Sequence, residues 1–204
     1  KCYAFSTLLL PLSFGLKFER YSLRFLLSFD ADGSMNTIRL MPVPAASTAK
    51  PVAYNKEKMQ ERDITVGADG FKLPGTLTLP VGKKKAPVVI LVHGSGPQDR
   101  DETVGPNKPF RDLAWGLAER GIATVRYDKR TKVYGAAFIP EGQNANYDTE
   151  SVDDAVAIIA WVKGLPEVDA DSIYVLGHSL GATLAPRIAE QADGVTGIIL
   201  VAAL

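Results

Sequence analysis

The chain has 204 residues, of which 46% are hydrophobic and 23% are charged, a composition typical of a folded domain rather than a disordered or fibrous chain. Its 23 lysines and arginines balance its 23 aspartates and glutamates, so the charge surplus of a nucleic-acid or anionic-membrane binder is missing and neither partner is expected. One cysteine and two histidines are too few for an intrachain disulfide or a zinc site, and no motif indicates a metal or a cofactor. No apolar run reaches the roughly 18 residues of a membrane-spanning helix.

The first region, residues 1–44, is predicted to contain a β-hairpin that forms the C-terminal part of a small N-terminal domain. Leu23–Phe29 and Ile38–Met41 are apolar runs on either side of the turn signal Asp30–Gly33. Two strands cannot hold together alone in water, so the hairpin is expected to complete a small domain or, alternatively, to pack onto the next domain. The apolar segment Ala4–Leu12 is expected to be a buried strand; the alternative is the middle of a signal peptide, and the compartment stays open.

Residues 45–60 are predicted to be a linker, because prolines, alanines, serines and threonines follow one another there without periodicity. In residues 61–204 strands alternate with helices. The predicted strands are Ile64–Val66, Thr76–Leu79, Val88–Val92, Ile122–Tyr127, Ile173–Leu176 and Val195–Ala202, and the predicted helices are Asp112–Arg120, Thr149–Lys163 and Leu180–Gln191. This order predicts an α/β fold, a mostly parallel sheet with helices on both faces.

One motif with catalytic potential lies between a predicted strand and a predicted helix. The sequence Gly177-His178-Ser179-Leu180-Gly181 matches the pattern G-x-S-x-G. In that position the glycines allow a strained turn that lifts a serine hydroxyl clear of the sheet. Ser179 is therefore the candidate nucleophile, and its neighbours support the turn. The alternative is a glycine-rich turn in which the serine caps the helix.

A second glycine-containing turn, His93-Gly94-Ser95-Gly96, follows the strand predicted at Val88–Val92. The anion that forms when a serine attacks a carbonyl needs positioned hydrogen-bond donors. The backbone N–H of Ser95, beside that of Leu180, is the candidate for this oxyanion hole. His93, Gly94 and Gly96 are assigned as supports, because the glycines let the loop approach a substrate closely. The alternative is a plain glycine turn.

Four signals in chain order, over roughly residues 61–204, resemble a bacterial α/β-hydrolase esterase. They are Val92–Pro97, the charged run Asp99–Glu102 with Gly105–Phe110, the segment Arg126–Arg130, and the Gly177–Gly181 turn. The resemblance implies an α/β-hydrolase fold and a serine hydrolase that cleaves small-molecule carboxylic esters through an acyl-enzyme on Ser179. Some members of that group carry a small N-terminal domain, and the predicted hairpin is similar to its last part.

In that family the nucleophile, an acid and a histidine follow one another in this order along the chain. Here His93 and His178 come before or beside the serine, and after Ser179 the acidic residues are Glu190 and Asp193, on or just past the predicted helix. The triad acid and histidine are therefore absent from this chain. We expect the C-terminal part of the catalytic domain to be missing and the 204 residues alone to be inactive or nearly so.

Three further functions stay open: an α/β-hydrolase-type serine peptidase, an acyltransferase that excludes water, and a catalytically silent scaffold used for binding. Sequence does not indicate the oligomeric state or the acyl and alcohol specificity. Asp128 and Arg130 are expected to form an ion-paired support, as in the resembling proteins, rather than to contact substrate. The run Asp99–Glu102 is expected to be a solvated loop surface, with the mouth of the pocket as the alternative.

Overall fold

A computed structural model of the chain describes residues 12–17, 22–30, 32–42, 53–68, 70–139, 141, 144 and 146–203. The chain divides into two compact units, Lys1–Val52 and Ala53–Leu204. The division falls inside the predicted linker, of which residues 45–52 lie outside the described residues. Residues 4–11 of the strand predicted at Ala4–Leu12 also lie outside them. The assignment of a linker and a separate catalytic domain stays a prediction.

The first unit contains a three-stranded antiparallel sheet in the order β1-β2-β3, with β1 at Leu12–Lys17, β2 at Ser22–Phe29 and β3 at Met35–Pro42. The predicted hairpin is the pair β2 and β3. Its turn is closed by a hydrogen bond from the Asp30 N–H to the Ser34 carbonyl at 2.7 Å. Strand β1 is not among the predicted elements. It pairs with β2, so the hairpin is part of a three-stranded sheet.

The second unit contains a six-stranded sheet in the order β4-β5-β7-β6-β8-β9. The strands are β4 Met59–Val66, β5 Leu73–Pro80, β6 Ala86–Val92, β7 Ala123–Tyr127, β8 Val168–His178 and β9 Val195–Val201; the helices are α1 Pro109–Ala118, α2 Arg130–Tyr134, α3 Asp153–Lys163 and α4 Leu180–Gln191. Strands β4, β5 and β7 pair antiparallel, whereas β7, β6, β8 and β9 pair parallel. The predicted mostly parallel sheet is thus confirmed.

Strand β6 shows why the sheet is covered on both faces. Successive side chains of a strand point to opposite faces. Val88, Ile90 and Val92 belong to the large core formed with α3 and α4, while Val89 and Leu91 pack in a smaller cluster with residues of α1. A continuous apolar run is the pattern that such a doubly covered strand requires. Because β6 lies between β7 and β8, the turn that follows it is in the middle of the edge formed by the carboxyl ends of the strands.

Several boundaries differ from the predicted ones. Helix α1 begins at Pro109 rather than Asp112, because proline suits the first turn of a helix. The helix predicted from Thr149 is divided into a π-helical turn, Asp148–Val152, and α3. The end of the predicted linker is regular structure: Lys56–Lys58 form a 3-10 turn, and Met59, the first residue of β4, is buried. None of the described helices is long and apolar enough to span a membrane.

Candidate active site

Ser179 lies in the turn between the last residue of β8 and the first residue of α4. Its backbone has φ = +51° and ψ = −116°, a conformation that costs a residue other than glycine about 1–3 kcal/mol. The Ser179 N–H donates to the carbonyl of Val201 in β9 at 2.9 Å, and its carbonyl accepts the N–H of Ala182 at 3.0 Å. Bonds to a strand on one side and to a helix on the other hold the strained turn in place.

The two glycines of this turn are required by close backbone contacts. A Cβ atom added at Gly177 would lie 2.1 Å from the carbonyl oxygen of Gly181. One added at Gly181 would lie 2.3 Å from the carbonyl oxygen of Val92, at the end of β6. Real Cβ atoms do not approach backbone this closely, and backbone cannot yield as a flexible side chain can. Helix α4 can therefore start beside β6 only if both positions are glycine.

The hydroxyl of Ser179 is not used by the helix that follows it. Ser179 occupies the N-cap position of α4, where a serine ordinarily accepts a hydrogen bond from an N–H of the first turn. Its side chain makes no such bond. The structure thus lacks the cap that the alternative interpretation of the motif requires, and the side chain is partly exposed.

The turn after β6 packs directly against the Ser179 turn. A Cβ added at Gly94 would lie 3.3 Å from the Cβ of Ser179. The N–H of Leu180, at the start of α4, has no acceptor within its own helix. The two predicted oxyanion donors, Ser95 and Leu180, therefore belong to turns in contact. Gly96 differs from Gly94: its φ is +86° with nothing within 4 Å of an added Cβ, so backbone conformation and not close approach requires glycine there.

Two buried charged side chains hold Gly94 from opposite ends of the residue. The Oε1 atom of Glu102, a side chain with 3% of its surface exposed, accepts the Gly94 N–H at 2.7 Å. The Nζ atom of Lys129, with 2% exposed, donates to the Gly94 carbonyl at 3.1 Å and to Oε1 of Glu150 at 2.5 Å. Burial of these charges is compensated by their partners, and the turn after β6 is fixed as a result.

Neither histidine of the chain contacts the Ser179 hydroxyl. His93 is buried against Phe110 and Tyr127, with ring centroids 5.3 and 5.0 Å away. Burial, and then the positive charge of Lys129, lower the pKa of His93 to about 3, so its ring is neutral near pH 7. The Nδ1 atom of His178 lies 3.0 Å from Oε1 of Glu102. Both histidines therefore contact side chains around the two turns, as expected of residues that support these turns.

The charged run Asp99–Glu102 was predicted to be a solvated surface, and this is wrong for Glu102, whereas Asp99, Arg100 and Asp101 are half-buried. Glu102 is buried beneath Gly94, with φ = +51°. The Arg100 guanidinium donates from Nε to Oδ1 of Asp128 and from Nη2 to Oδ2, both at 3.1 Å. The run is folded into the molecule because its charges are partners for groups at the carboxyl ends of β6 and β7.

Asp128 and Arg130 were expected to be an ion-paired support, and both form ion pairs; that neither contacts substrate stays a prediction. Besides the Arg100 pair, the buried guanidinium of Arg130 binds both carboxylate oxygens of Asp154 in α3, at 2.7 and 2.9 Å. Asp154 also accepts the N–H of Ala68 at 2.9 Å, so the pair ties α3 to the turn between β4 and β5. Planar two-point pairing of this kind favours arginine.

The residues that sequence reasoning missed are Glu102, Lys129 and Glu150. One signal could have located Lys129: it lies two residues after the end of β7, and the carboxyl ends of neighbouring parallel strands meet at one sheet edge. Glu102 carries no such signal, since its position depends on a positive φ that glutamate rarely adopts. Within the described part of the chain, no group of three or more histidine, cysteine, aspartate or glutamate side chains could hold a metal ion.

A family model described as X-Pro dipeptidyl-peptidase (S15 family) matches residues 69–204. The chain is 40% identical over 188 residues to esterase EstD of Thermotoga maritima, covering 91% of this chain and 43% of that protein. It is 27% identical to a putative esterase, NocK, of Nocardia uniformis, over 75% of this chain and 43% of the relative. The chain thus spans less than half the length of these two relatives.

Solved structures of α/β-hydrolases share the fold. A brefeldin A esterase, described as a bacterial homologue of human hormone-sensitive lipase, superposes with a TM-score of 0.54 at 22% identity, over 76% of this chain and 42% of the other. A hyperthermophilic esterase from the archaeon Pyrobaculum calidifontis gives a TM-score of 0.52 at 22% identity, over 71% and 44% of the two chains. These similarities place the second unit in the α/β-hydrolase fold.

Proposed function

The chain belongs to the α/β-hydrolases of the X-Pro dipeptidyl-peptidase (S15) family, and from this premise we propose that the protein hydrolyses small-molecule carboxylic esters through an acyl-enzyme on Ser179. The observation that carries the proposal is the state of Ser179: its backbone is held at a strained φ of +51°, yet its hydroxyl does not cap α4. A scaffold without catalysis has no need of such strain, which proteins keep mainly at functional sites. The silent-scaffold alternative is therefore disfavoured.

The proposed reaction is a double displacement. Oγ of Ser179 bonds to the acyl carbon as its proton passes to a base, and the N–H groups of Ser95 and Leu180 donate to the oxyanion. The carbon–oxygen bond to the alcohol then breaks, and the alcohol leaves with a proton. Water adds to the acyl carbon, the carboxylic acid departs, and Ser179 regains its proton. His93 is buried and His178 faces Glu102, so the roles proposed for this chain are the nucleophile and the oxyanion donors.

Two observations bear on whether an ester or a peptide is cleaved. The relative at 40% identity bears the name esterase, which supports an ester substrate. The matching family model is described as an X-Pro dipeptidyl-peptidase, so cleavage after an X-Pro dipeptide is the second candidate. Both reactions use the same nucleophile and donors. They differ in the leaving group, an alcohol in one case and an amine in the other.

The protein produced from its complete open reading frame tests the proposal. We expect a fluorophosphonate probe to label Ser179 and p-nitrophenyl acetate to be hydrolysed, with both signals lost in Ser179→Ala. The matched control is Ser172→Ala, because Ser172 lies in the same strand but bonds to Asp169 far from the turn. Undiminished labelling of Ser179→Ala would exclude this nucleophile. Faster turnover of an X-Pro p-nitroanilide than of the ester would favour the peptidase.

A further inference from the structure

Lys129 has no assigned part in the proposed reaction, although it contacts the turn that carries one oxyanion donor. We propose that Lys129 is a positioning residue for acyl transfer: by holding the Gly94 carbonyl, its buried ammonium group orients the peptide unit whose other end is the Ser95 N–H. This role rests on the proposed function, and the experiment below separates the failure of the two.

Lys129 acts on one end of a single peptide unit, the one that joins Gly94 to Ser95. The carbonyl of Gly94 and the N–H of Ser95 belong to the same planar, trans peptide, so they point in opposite directions within one plane. Nζ of Lys129 lies 3.1 Å from the Gly94 oxygen. Fixing that oxygen therefore fixes the direction of the Ser95 N–H, which must point away from the ammonium group. An oxyanion donor gains its effect from being oriented before the reaction begins.

The rest of the Gly94 turn is tied to the same segment of chain that carries Lys129. The backbone N–H of Lys129 donates to the carbonyl of Gln98 at 3.0 Å. The side-chain amide of Gln98 in turn donates to the carbonyl of Ser95 at 3.0 Å. The peptide units before and after the Ser95 α-carbon are thus both held from the start of α2. Rotation of the Ser95 N–H away from its direction would break one of these bonds.

The positive charge of Lys129 also affects how strongly the Ser95 N–H can donate. A hydrogen bond from a cation to a carbonyl polarises the peptide, which strengthens the N–H at its other end as a donor. Lys129 is fully enclosed, so water does not compete for the Gly94 oxygen. Glu150 balances the buried charge with a contact of 2.5 Å to Nζ. The ion pair between Lys129 and Glu150 would be enough to stabilise the fold. The additional bond from Lys129 to the Gly94 carbonyl is what links this ion pair to the proposed reaction.

The test compares kinetic constants of Lys129→Met, Glu150→Gln and the double variant, in protein produced from its complete open reading frame. Removing an oxyanion donor costs about 10²–10³ in kcat, so misdirecting one should lower kcat about 10- to 100-fold with KM within about twofold. The double variant leaves no unpaired buried charge. Its melting temperature should recover relative to Lys129→Met, whereas its kcat should stay low. Glu150→Gln keeps the lysine on Gly94 and should keep most of kcat.

The neighbouring buried ion pair provides a matched control. Arg130 and Asp154 are as buried as Lys129, but they hold the turn between β4 and β5 and do not touch Gly94. The variant Arg130→Met with Asp154→Asn should lose stability yet keep kcat in the folded fraction. Affinity for a trifluoromethyl ketone, whose adduct carries an oxyanion, should fall with kcat/KM in both variants that carry Lys129→Met and should be unchanged in the Arg130→Met, Asp154→Asn control.

The outcomes are distinguishable. If the Lys129→Met, Glu150→Gln double variant has a kcat within twofold of Glu150→Gln, Lys129 is only a partner for Glu150 and the positioning role is wrong. If the Arg130 and Asp154 control loses kcat to the same extent, the effect is general loosening and the role is also wrong. If turnover survives Ser179→Ala, the proposed function itself fails, whatever Lys129 does.

Discussion

The two turns that meet at the candidate active site are held in place by different means. The turn around Ser179 depends on backbone: the chain passes so close to Val92 that only glycine fits at Gly181, and the strained residue is bonded to β9 and α4. The turn around Gly94 depends on side chains, since the buried charges of Glu102 and Lys129 bind its N–H and carbonyl. One turn is therefore set by sterics and the other by electrostatics.

This difference has consequences for what can disturb each turn. Steric exclusion is independent of pH and is broken only by adding atoms. Charged and titratable groups in a buried turn respond to protonation and to the loss of either partner. The Ser179 turn should therefore not tolerate added volume, whereas the Gly94 turn should be sensitive to loss of its charged partners and to protonation of the buried His93 beside it. Substitutions at four positions, in decreasing order of expected effect, sharpen the distinction.

The largest effect is expected from Gly181→Ala. The new Cβ would lie 2.3 Å from the Val92 oxygen and 2.6 Å from the His93 oxygen, and neither backbone group can yield without moving β6. We expect a loss of about 4 kcal/mol or more in unfolding free energy, measured by urea denaturation. The control is Gly116→Ala in α1, where the nearest atoms lie 3.7 and 3.8 Å away. That variant should be more stable by up to about 1 kcal/mol, since alanine favours helix. Equal stability of the two variants would contradict the steric explanation.

The next effect concerns acid and His93. The unfolded chain binds a proton on this imidazole near its ordinary pKa of about 6.5, whereas burial lowers the folded-state pKa to about 3. The contribution of His93 to the unfolding free energy is therefore fully present above about pH 6.5. It is lost as the pH falls toward 3, by about 1.4 kcal/mol per pH unit, because only the unfolded chain takes up the proton. His93→Phe keeps an aromatic ring beside Phe110 and Tyr127. It should reduce the slope of unfolding free energy against pH by the amount that corresponds to one proton taken up on unfolding. An unchanged slope between pH 6.5 and 4 would contradict the pKa assignment.

The same contrast explains how far sequence reasoning could reach. The motif Gly177–Gly181 was recognisable because sterics demand glycine at fixed spacing, and a requirement of this kind leaves a local pattern. The partners of Gly94 come from Glu102 and Lys129, 8 and 35 residues away, and no local pattern marks them. The strand and helix order could be predicted from apolar runs. The burial of Glu102 could not, because it follows from tertiary partners.

A smaller effect is expected from Glu102. Glu102→Ala leaves the buried N–H of Gly94 without its acceptor, which costs about 1–3 kcal/mol of unfolding free energy. Glu102→Gln keeps a carbonyl oxygen of the same reach and should cost less than half as much. Both values come from urea denaturation at pH 7. If glutamine were as damaging as alanine, the negative charge rather than the hydrogen bond to Gly94 would be what stabilises the turn, and the account of how this turn is held would need revision.

The smallest effect is expected from Gly94→Ala, which adds volume to the turn that charges hold. The new Cβ would lie 3.2 Å from Oε1 of Glu102 and 3.3 Å from Cβ of Ser179, close enough to force a shift of a few tenths of an ångström. Because a glutamate side chain can move, we expect a loss of only about 1 kcal/mol in stability. The shift occurs between the proposed nucleophile and the Ser95 N–H, however. Misplacement of reacting groups by about 1 Å lowers the rate about 10²-fold, so a shift of a few tenths of an ångström should lower kcat several-fold.

The control is Gly197→Ala in β9, where the added Cβ would lie 3.3 Å from the ring of Tyr174. Crowding there is similar but lies away from both turns, so turnover of p-nitrophenyl acetate should be unchanged. Equal kinetic losses in the two variants would mean that the Gly94 turn is not part of the reacting site.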